Sequence, residues 1–405
     1  MNSISLLKNK VNIEKMLKIS GNKVKRAGKY SFCKCPIHKG ECLSMIIDNE
    51  KNLFHCFECG ANGDVIELAG LLANIDTLPT ISWLFKKTRI PIPEPTKNGR
   101  EVQNRVYQMN LDAAKFFWSR LMSEEGKDCM RYLKGRGVTA DTIKKYKIGY
   151  APRSWSSLKD HMLSLGYTEQ ELINGSLLTR SKKNGLTFDF YIDRAIFPFV
   201  DIHGHIVGFG GRILSGDDKR KYLNSRQNIG YQKSSFLFSE YFAVRNSENS
   251  PFILCEGNLD VISLNQAGFD TAVASCGTAL TSEQAALISK HTDTVYICYD
   301  SDLPGRKAAL KAIDILEKKG LKVYVITVVD AKDPDEYLKK FGADSFRDLM
   351  ENAIPALEYK IVSCFEDKPP KTSSEKVEFF VRLYKEIIPY YDSKDVMNIL
   401  LKYDI

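Results

Sequence analysis

Apolar residues recur at helical spacing from the start of the chain. Leu6, Leu7, Val11, Ile13 and Leu17 predict a short amphipathic helix, and similar patterns predict helices near 63–73 and 78–87. Between them, Leu43–Ile47 and Asn52–His55 read as the two arms of a hairpin. The stretch Pro91-Ile92-Pro93-Glu94-Pro95-Thr96-Lys97-Asn98-Gly99 cannot continue a helix and predicts a linker. From 101 to 165 the pattern is helical again, with Leu111, Ala114, Phe117 and Trp118 on one face. From 186 to 240 it turns to short strands with glycine turns, among them Ala195–Val200 and His205–Phe209. From 252 to 329 apolar strands (Phe252–Cys255, Thr271–Ala274, Val295–Tyr299, Val323–Val328) alternate with helical segments. That alternation predicts an α/β layer with a largely parallel sheet. The last 70 residues read as helical. The expected organisation is a unit over 1–90, a linker over 91–100, mixed α/β over 101–250, parallel α/β over 251–345 and a helical tail over 346–405. No internal repeat or low-complexity tract interrupts it.

Composition narrows the class. Hydrophobic residues make up 43% of 405, enough for real cores, so a disordered chain is excluded. Lys and Arg outnumber Asp and Glu by 58 to 50, a net charge of +8 that suits a nucleic-acid partner without requiring one. No apolar run reaches the roughly 18 residues of a membrane span. Met1 to Lys10 lack the apolar core of a secretion signal, so the expected location is the cytoplasm.

Five of the ten cysteines fall between Cys33 and Cys59. Without a secretion signal a disulfide framework is unexpected, and the cluster reads as a metal site. Cys35-x2-His38 and Cys56-x2-Cys59 are two knuckles that can bring three thiolates and one imidazole around a tetrahedral Zn2+, with the hairpin between them. Cys33, Cys42 and His55 are spare candidates nearby. Cys35-Pro-Ile-His38, followed by His55-Cys56-Phe57-Glu58-Cys59-Gly60-Ala61-Asn62-Gly63-Asp64, resembles the N-terminal zinc-binding domain of bacterial DnaG-type primases. The resemblance implies a zinc ribbon with one structural zinc that helps select where a primer starts. Glu41-Cys42-Leu43-Ser44-Met45 departs from the family's usual strand start.

Three acidic clusters follow strands of the α/β region: Glu256-Gly257-Asn258-Leu259-Asp260; Asp300-Ser301-Asp302 with Gly305; and Asp333-Pro334-Asp335-Glu336. Loops at the carboxyl ends of parallel strands line the ligand crevice, so these carboxylates are expected to converge. Crowded carboxylates repel unless a cation sits among them, and an all-oxygen set favours Mg2+ or Mn2+. Their order resembles the TOPRIM domain of primases, topoisomerases and some nucleases, over roughly 251–345. By that resemblance Glu256 is a ligand or acid/base residue, Asp300, Asp302, Asp333 and Asp335 hold the metals, and Asp260 supports the site. The catalytic residues expected are Glu256, Asp300 and Asp302.

The segment before these clusters separates polymerase from nuclease. Arg194-Ala195-Ile196-Phe197-Pro198-Phe199, Gly208-Phe209-Gly210-Gly211-Arg212 and Lys221-Tyr222-Leu223-Asn224-Ser225, with Lys233 beyond, resemble the N-terminal half of the primase RNA-polymerase domain. Tyr132-Leu133-Lys134-Gly135-Arg136-Gly137 resembles an earlier family motif. The resemblance implies that Arg136, Arg194, Arg212, Lys221 and Asn224 contact template or heteroduplex, and Lys233 the incoming triphosphate. Independently, Gly210-Gly211 lets backbone approach a ligand, Arg and Lys supply phosphate contacts, and Tyr222 offers a stacking surface.

The expected protein is therefore an α/β multidomain chain: zinc ribbon, mixed α/β polymerase subdomain, TOPRIM fold and helical tail. The resemblance implies an enzyme making short RNA primers on single-stranded DNA from ribonucleoside triphosphates, with Zn2+ and with Mg2+ or Mn2+. Family members continue into a domain that binds the replicative helicase; this chain ends at Ile405, which fits either a truncated piece or a natural short form like those of phages and mobile elements, and leaves the helicase partnership open. The rival readings are a TOPRIM nuclease or topoisomerase-like enzyme, and a zinc-ribbon DNA-binding protein without turnover.

Overall fold

The computed structural model describes residues 11–19, 21–73, 97–181, 183–215, 220–246, 250–277, 279–365, 370 and 372–403. The chain divides into two compact units, Met1–Arg100 and Glu101–Ile405.

In the first unit, helix α1 (Ile13–Ile19) precedes strands β1 (Lys25–Ala27), β2 (Tyr30–Cys33), β3 (Met45–Asp48), β4 (Leu53–Cys56) and β5 (Asn62–Gly63), and helix α2 (Val65–Ala73) closes it. The strands form one antiparallel sheet in sequence order. Burial alternates along β2, β3 and β4, so Cys33, Met45, Ile47, Phe54 and Cys56 share one face. Ile13, Leu17, Val65 and Leu68 pack with them in one core. The hairpin and the 63–73 helix are where the pattern puts them. Leu6, Leu7 and the expected 78–87 helix lie outside the described residues.

Helix α3 (Lys97–Leu121) begins inside the stretch expected to be linker, so residues 97–99 are helical, and from Glu101 on it belongs to the second unit. Then come α4 (Lys127–Gly135), α5 (Ala140–Tyr146), β6 (Gly149–Ala151), α6 (Ser157–Ser164), α7 (Glu169–Asn174) and the hairpin β7 (Leu178–Arg180) and β8 (Thr187–Asp189). Strands β9 (Arg194–Val200), β10 (Ile206–Ile213) and β11 (Tyr222–Asn224) join β6 in an antiparallel sheet of order β11-β10-β9-β6. Nearly every residue of β9 and β10 is buried, which is why they read as apolar runs.

After α8 (Glu240–Asn246) the chain alternates: β12 (Phe252–Cys255), α9 (Asn258–Gln266), β13 (Ala272–Ala274), α10 (Ser282–Ile288), β14 (Thr294–Ile297), α11 (Leu303–Glu317), β15 (Lys322–Val325) and α12 (Pro334–Glu351). Gly342, at φ 83°, interrupts α12. The sheet order is β13-β12-β14-β15, all parallel, with a short antiparallel edge strand β16 (Ile354–Pro355). The order reverses between β12 and β14, and open α/β sheets bind ligands beyond the carboxyl ends of strands at such a reversal. Helices α13 (Ala356–Ser363), α14 (Ser373–Glu386) and α15 (Ser393–Lys402) form a tail with its own core of Ile361, Phe379, Leu383, Val396 and Leu400. Among the described residues no helix is long and apolar enough to cross a membrane.

Candidate functional site

Two sites emerge, one in each unit. In the first, Cys35 follows β2 and Cys56 ends β4; the pairing of both strands with β3 (Cys33 opposite Met45, Met45 opposite Cys56) brings the two knuckles together. His38 and Cys59 sit in the turns that follow. One ligand atom from each of Cys35, His38, Cys56 and Cys59 lies within 4.8 Å of the others. The Cys35 and Cys59 sulfurs are 3.9 Å apart, and Cys56 Sγ is 3.8 Å from His38 Nδ1. Sulfurs at the corners of a zinc tetrahedron are separated by about 3.8 Å, so this donor set fits the ion. Glu58 Oε2 lies 3.0 Å from His38 Nε2, while Nδ1 faces Cys56 in the cluster. Gly40 leaves room for that ring, since a Cβ there would come 2.3 Å from His38 Nε2. Burial alone would raise the Cys56 thiol, but backbone N–H groups of Cys59 and Glu58 and the Ser44 hydroxyl bring it down to about 6. Cys33, Cys42 and His55 stand outside the cluster: Cys33 is core, Cys42 is exposed, and His55 packs edge-on against Phe57.

In the second unit, Glu256 leaves β12 and Asp300 follows β14, the two strands flanking the reversal. The Asp300 backbone N–H donates to Glu256 Oε1 at 3.2 Å. Asp302 caps α11 through the Gly305 N–H at 2.9 Å, and Asp333 caps α12 through the Glu336 N–H at 2.8 Å. Ser301 ties the second loop to the third: its N–H donates to Lys332 O at 2.9 Å and its hydroxyl to Ala331 O at 3.0 Å. Burial first, then the Asp300 charge, raises the Glu256 carboxyl; burial, with Asp333 and Asp302, raises Asp300 against the pull of Lys332. Asp260 is pushed up to about 8 by burial and by Asp333, Asp300 and Asp335. These groups resist carrying negative charge together, and a divalent cation relieves that. This set fits Mg2+ or Mn2+ in chemistry but is more spread than the thiolate cluster, which is the one group of ligand atoms within 4.8 Å among the described residues.

Asp335 is partnered differently from the other carboxylates. Its carboxylate, only 4% exposed, is taken by Arg136 Nη2 at 2.7 Å, Lys339 Nζ at 2.6 Å and Ser263 Oγ at 2.5 Å. Two cations and one hydroxyl of the protein thus already partner it. Lys332, not singled out from sequence, places its Nζ 3.5 Å from Asp300 Oδ2.

The basic residues divide similarly. Arg212 on β10 faces Tyr222 on β11, with its guanidinium 4.8 Å from the ring centre, so Tyr222 carries a cation on its face. Lys221 is exposed beside it, and Lys233 is half-buried in a short turn. Asn224 Nδ2 donates to Cys276 O at 2.9 Å, linking the antiparallel sheet to the loop after β13, while its Oδ1 is buried without a protein partner. Arg194 is placed differently from the other basic residues. It is 2% exposed, and its guanidinium donates to the carbonyls of Gly211 at 3.0 Å and Arg220 at 3.2 Å. It braces the strand ends from inside, at the lining of the cleft that Arg153, Trp155, Arg220 and Arg226 also line.

Sequence reasoning missed a cleft of about 650 Å³ lined by Arg153, Trp155, Phe188, Arg220 and Arg226 among others. Trp155 is 65% exposed, with its ring 5.1 Å from Phe188. The cleft thus sets an open aromatic face among arginines. A lone Trp in Ala-Pro-Arg-Ser-Trp carries no sign of exposure, which only the fold supplies.

Residues 1–100 match the family described as CHC2 zinc finger, 116–244 the N-terminal domain of the DNA primase catalytic core, and 253–338 the Toprim-like family. A DNA primase of Clostridium acetobutylicum is 37% identical over 380 residues, 92% of this chain and 63% of that protein. The chain thus spans less than two thirds of the length of that curated relative. Among solved structures, the zinc-binding and RNA polymerase domains of Aquifex aeolicus primase match with TM-score 0.61 and 28% identity, covering 100% of this chain and 98% of that one. The Escherichia coli primase catalytic core matches with TM-score 0.62 and 30% identity over 70% of this chain and 90% of that one. A DnaG primase catalytic domain solved with single-stranded DNA matches with TM-score 0.63 and 29% identity over 72% and 90% of the two chains. With its zinc-finger, catalytic-core and Toprim regions in unbroken order, the chain belongs to the DnaG primase family.

Proposed function

We propose that this chain makes short RNA primers on single-stranded DNA, transferring ribonucleotides from their triphosphates and releasing pyrophosphate. The observation that carries this reading is the meeting of Glu256 and Asp300 at the strand-order reversal, in a chain whose preceding sheet carries Gly210-Gly211 and Arg212. Mg2+ or Mn2+, held by Glu256, Asp300, Asp302 and Asp333, would lower the pKa of the primer hydroxyl and stabilise charge on the transferring phosphate. Glu256 would serve as ligand or acid/base group, with Asp260 behind it. Arg212, Lys221 and Asn224 would hold template or heteroduplex, and Lys233 the incoming triphosphate. Trp155, with Arg153 and Arg226, would stack and neutralise the unpaired template.

Cys35, His38, Cys56 and Cys59 would hold one structural Zn2+, and that module would choose or stabilise the start site. The work would be done in the cytoplasm, during DNA replication. The test is incorporation of labelled ribonucleotides on mixed-sequence single-stranded DNA with Mg2+ or Mn2+. Short RNA products abolished by EDTA are expected. Template degradation without incorporation would replace this reading with a nuclease.

A further inference from the structure

Resting on that reading, we propose that Asp335 is a positioning residue for template binding rather than a metal ligand: it clasps Arg136 and docks α4–α5 onto the Toprim layer.

The first argument is saturation. Three donors from three places converge on this carboxylate: Arg136 at the end of α4, Lys339 one turn along α12, and Ser263 on α9. A carboxylate bound by two cations gains little from a third, and a divalent ion would have to displace both.

The second argument is the seam around it. Gln266 on α9 accepts from the Thr139 N–H at 2.9 Å and from the Thr142 hydroxyl at 2.8 Å, and donates to Gly137 O at 2.8 Å. Lys145 pairs with Asp270 at 3.1 Å. Residues 137–145 are thus stitched to the Toprim layer directly after the clasp. Arg136 cannot move independently: its backbone N–H closes α4 on the carbonyls of Tyr132 and Leu133.

The third argument is what Arg136 has left. Its Nη2 faces Asp335 and its Nε is buried without a protein partner, yet 38% of the side chain remains exposed. The guanidinium is held at one end and has donors to spare. A planar cation fixed in this way suits a phosphate of the bound strand, and fixing it beforehand lowers the cost of binding.

The asymmetry of burial makes a clean variant available. Removing the carboxylate leaves two cations that are each more than a third exposed and can be solvated, so Asp335→Asn should fold. The experiment measures Mn2+ stoichiometry by electron paramagnetic resonance and single-stranded DNA affinity by fluorescence anisotropy, on wild type, Asp335→Asn, Arg136→Gln, the double variant and Asp300→Asn. The expected result is unchanged Mn2+ stoichiometry for Asp335→Asn, DNA affinity weakened about tenfold by either clasp variant, and no further loss in the double variant. Asp300→Asn should lose Mn2+. Loss of Mn2+ from Asp335→Asn overturns the proposal by making Asp335 a ligand. Unchanged DNA affinity in folded Asp335→Asn and Arg136→Gln also overturns it, leaving the contact as mere stabilisation. Neither readout uses synthesis, so failure of the wild type to make primers would count against the proposed function and not against the clasp.

Discussion

Glu256 and Asp300 are joined before any cation is considered: the Asp300 backbone N–H donates to Glu256 Oε1 at 3.2 Å, across the two strands where the sheet order reverses. The close approach depends on Gly305. A Cβ there would lie 2.2 Å from Asp300 O and 2.9 Å from Glu256 Oε1. Gly305→Ala should therefore shift the Asp300 loop at a cost of about 1–3 kcal/mol of stability. Because displacement of a ligand by an ångström is ruinous to positioned chemistry, it should also cut synthesis about 100-fold. Thermal unfolding and primer yield check the two halves separately. A variant that makes primers at the normal rate would show that this loop is free to move.

Asp300→Asn should separate activity from stability. Burial and the neighbouring Asp333 and Asp302 raise the Asp300 carboxyl. A folded-state pKa above the unfolded value means stability that is present below the unfolded value and lost as pH rises through the folded one. Without divalent cation, the variant should thus melt higher than wild type at pH 8 and no higher at pH 3. With Mg2+ present its primer yield should fall more than about 100-fold. Lower stability of Asp300→Asn at pH 8 in EDTA would contradict the charge-crowding argument.

The sequence carried the metal-site chemistry better than its geometry. Knuckle spacing picked out the four residues whose ligand atoms gather within 4.8 Å, because a tetrahedral ion restricts which short spacings work. Strand alternation placed Glu256 and Asp300 because loop position follows from a parallel sheet. Asp335 and Arg194 were another matter. A carboxylate within a Toprim motif and an arginine at the start of a strand look the same whether they face solvent or protein. What decides is the tertiary partner: Arg136 lies 199 positions before Asp335, and Arg194 donates to a carbonyl 17 positions on. Trp155 was missed for the same reason, since exposure is a property of the fold and not of the residue type.

Zinc removal should act on one unit only. The Cys35, His38, Cys56 and Cys59 cluster joins β2 and β4 within a unit that has its own core. Structural zinc supplies about 10–16 kcal/mol in small metal-dependent modules. A high-affinity zinc chelator should unfold residues 11–73 while the core around β12 and β14 survives. Hydrogen exchange resolved by peptide distinguishes the two. Protection of the Met45–Cys56 hairpin that persists after one equivalent of zinc is released would refute metal-dependent folding.

Glu240 offers a pH dependence away from any metal. It starts α8, is 5% exposed, and its Oε1 has no hydrogen-bond partner. Burial pushes its carboxyl up to about 7, against the weaker pull of Lys290. Since the folded value exceeds the unfolded one, its contribution is fully present below about pH 4.5 and is lost as pH rises through about 7. Glu240→Gln should therefore gain up to about 3 kcal/mol at pH 8.5 and almost nothing at pH 4.5. Denaturant melts at the two pH values test this, and an equal change at both would rule out ionisation as the cause.

Arg194→Met tests whether the buried arginine is a brace or a nucleic-acid contact. Its guanidinium satisfies the carbonyls of Gly211 and Arg220 from inside the protein, beside Tyr191, which is itself 1% exposed. Methionine fills part of the volume but leaves those acceptors without their charged donor. Each charge-assisted bond is worth about 1.5–3 kcal/mol, so a loss of about 3 kcal/mol or more is expected. Lysine should not rescue it, because one ammonium cannot reproduce a planar fork that spans both carbonyls. A phosphate contact predicts the opposite pattern: stability near wild type, and weaker single-stranded DNA binding with a shallower salt dependence. Measuring unfolding free energy and the salt slope of DNA binding on the same preparation separates the two. Normal stability with a reduced salt slope would restore Arg194 to the nucleic-acid face.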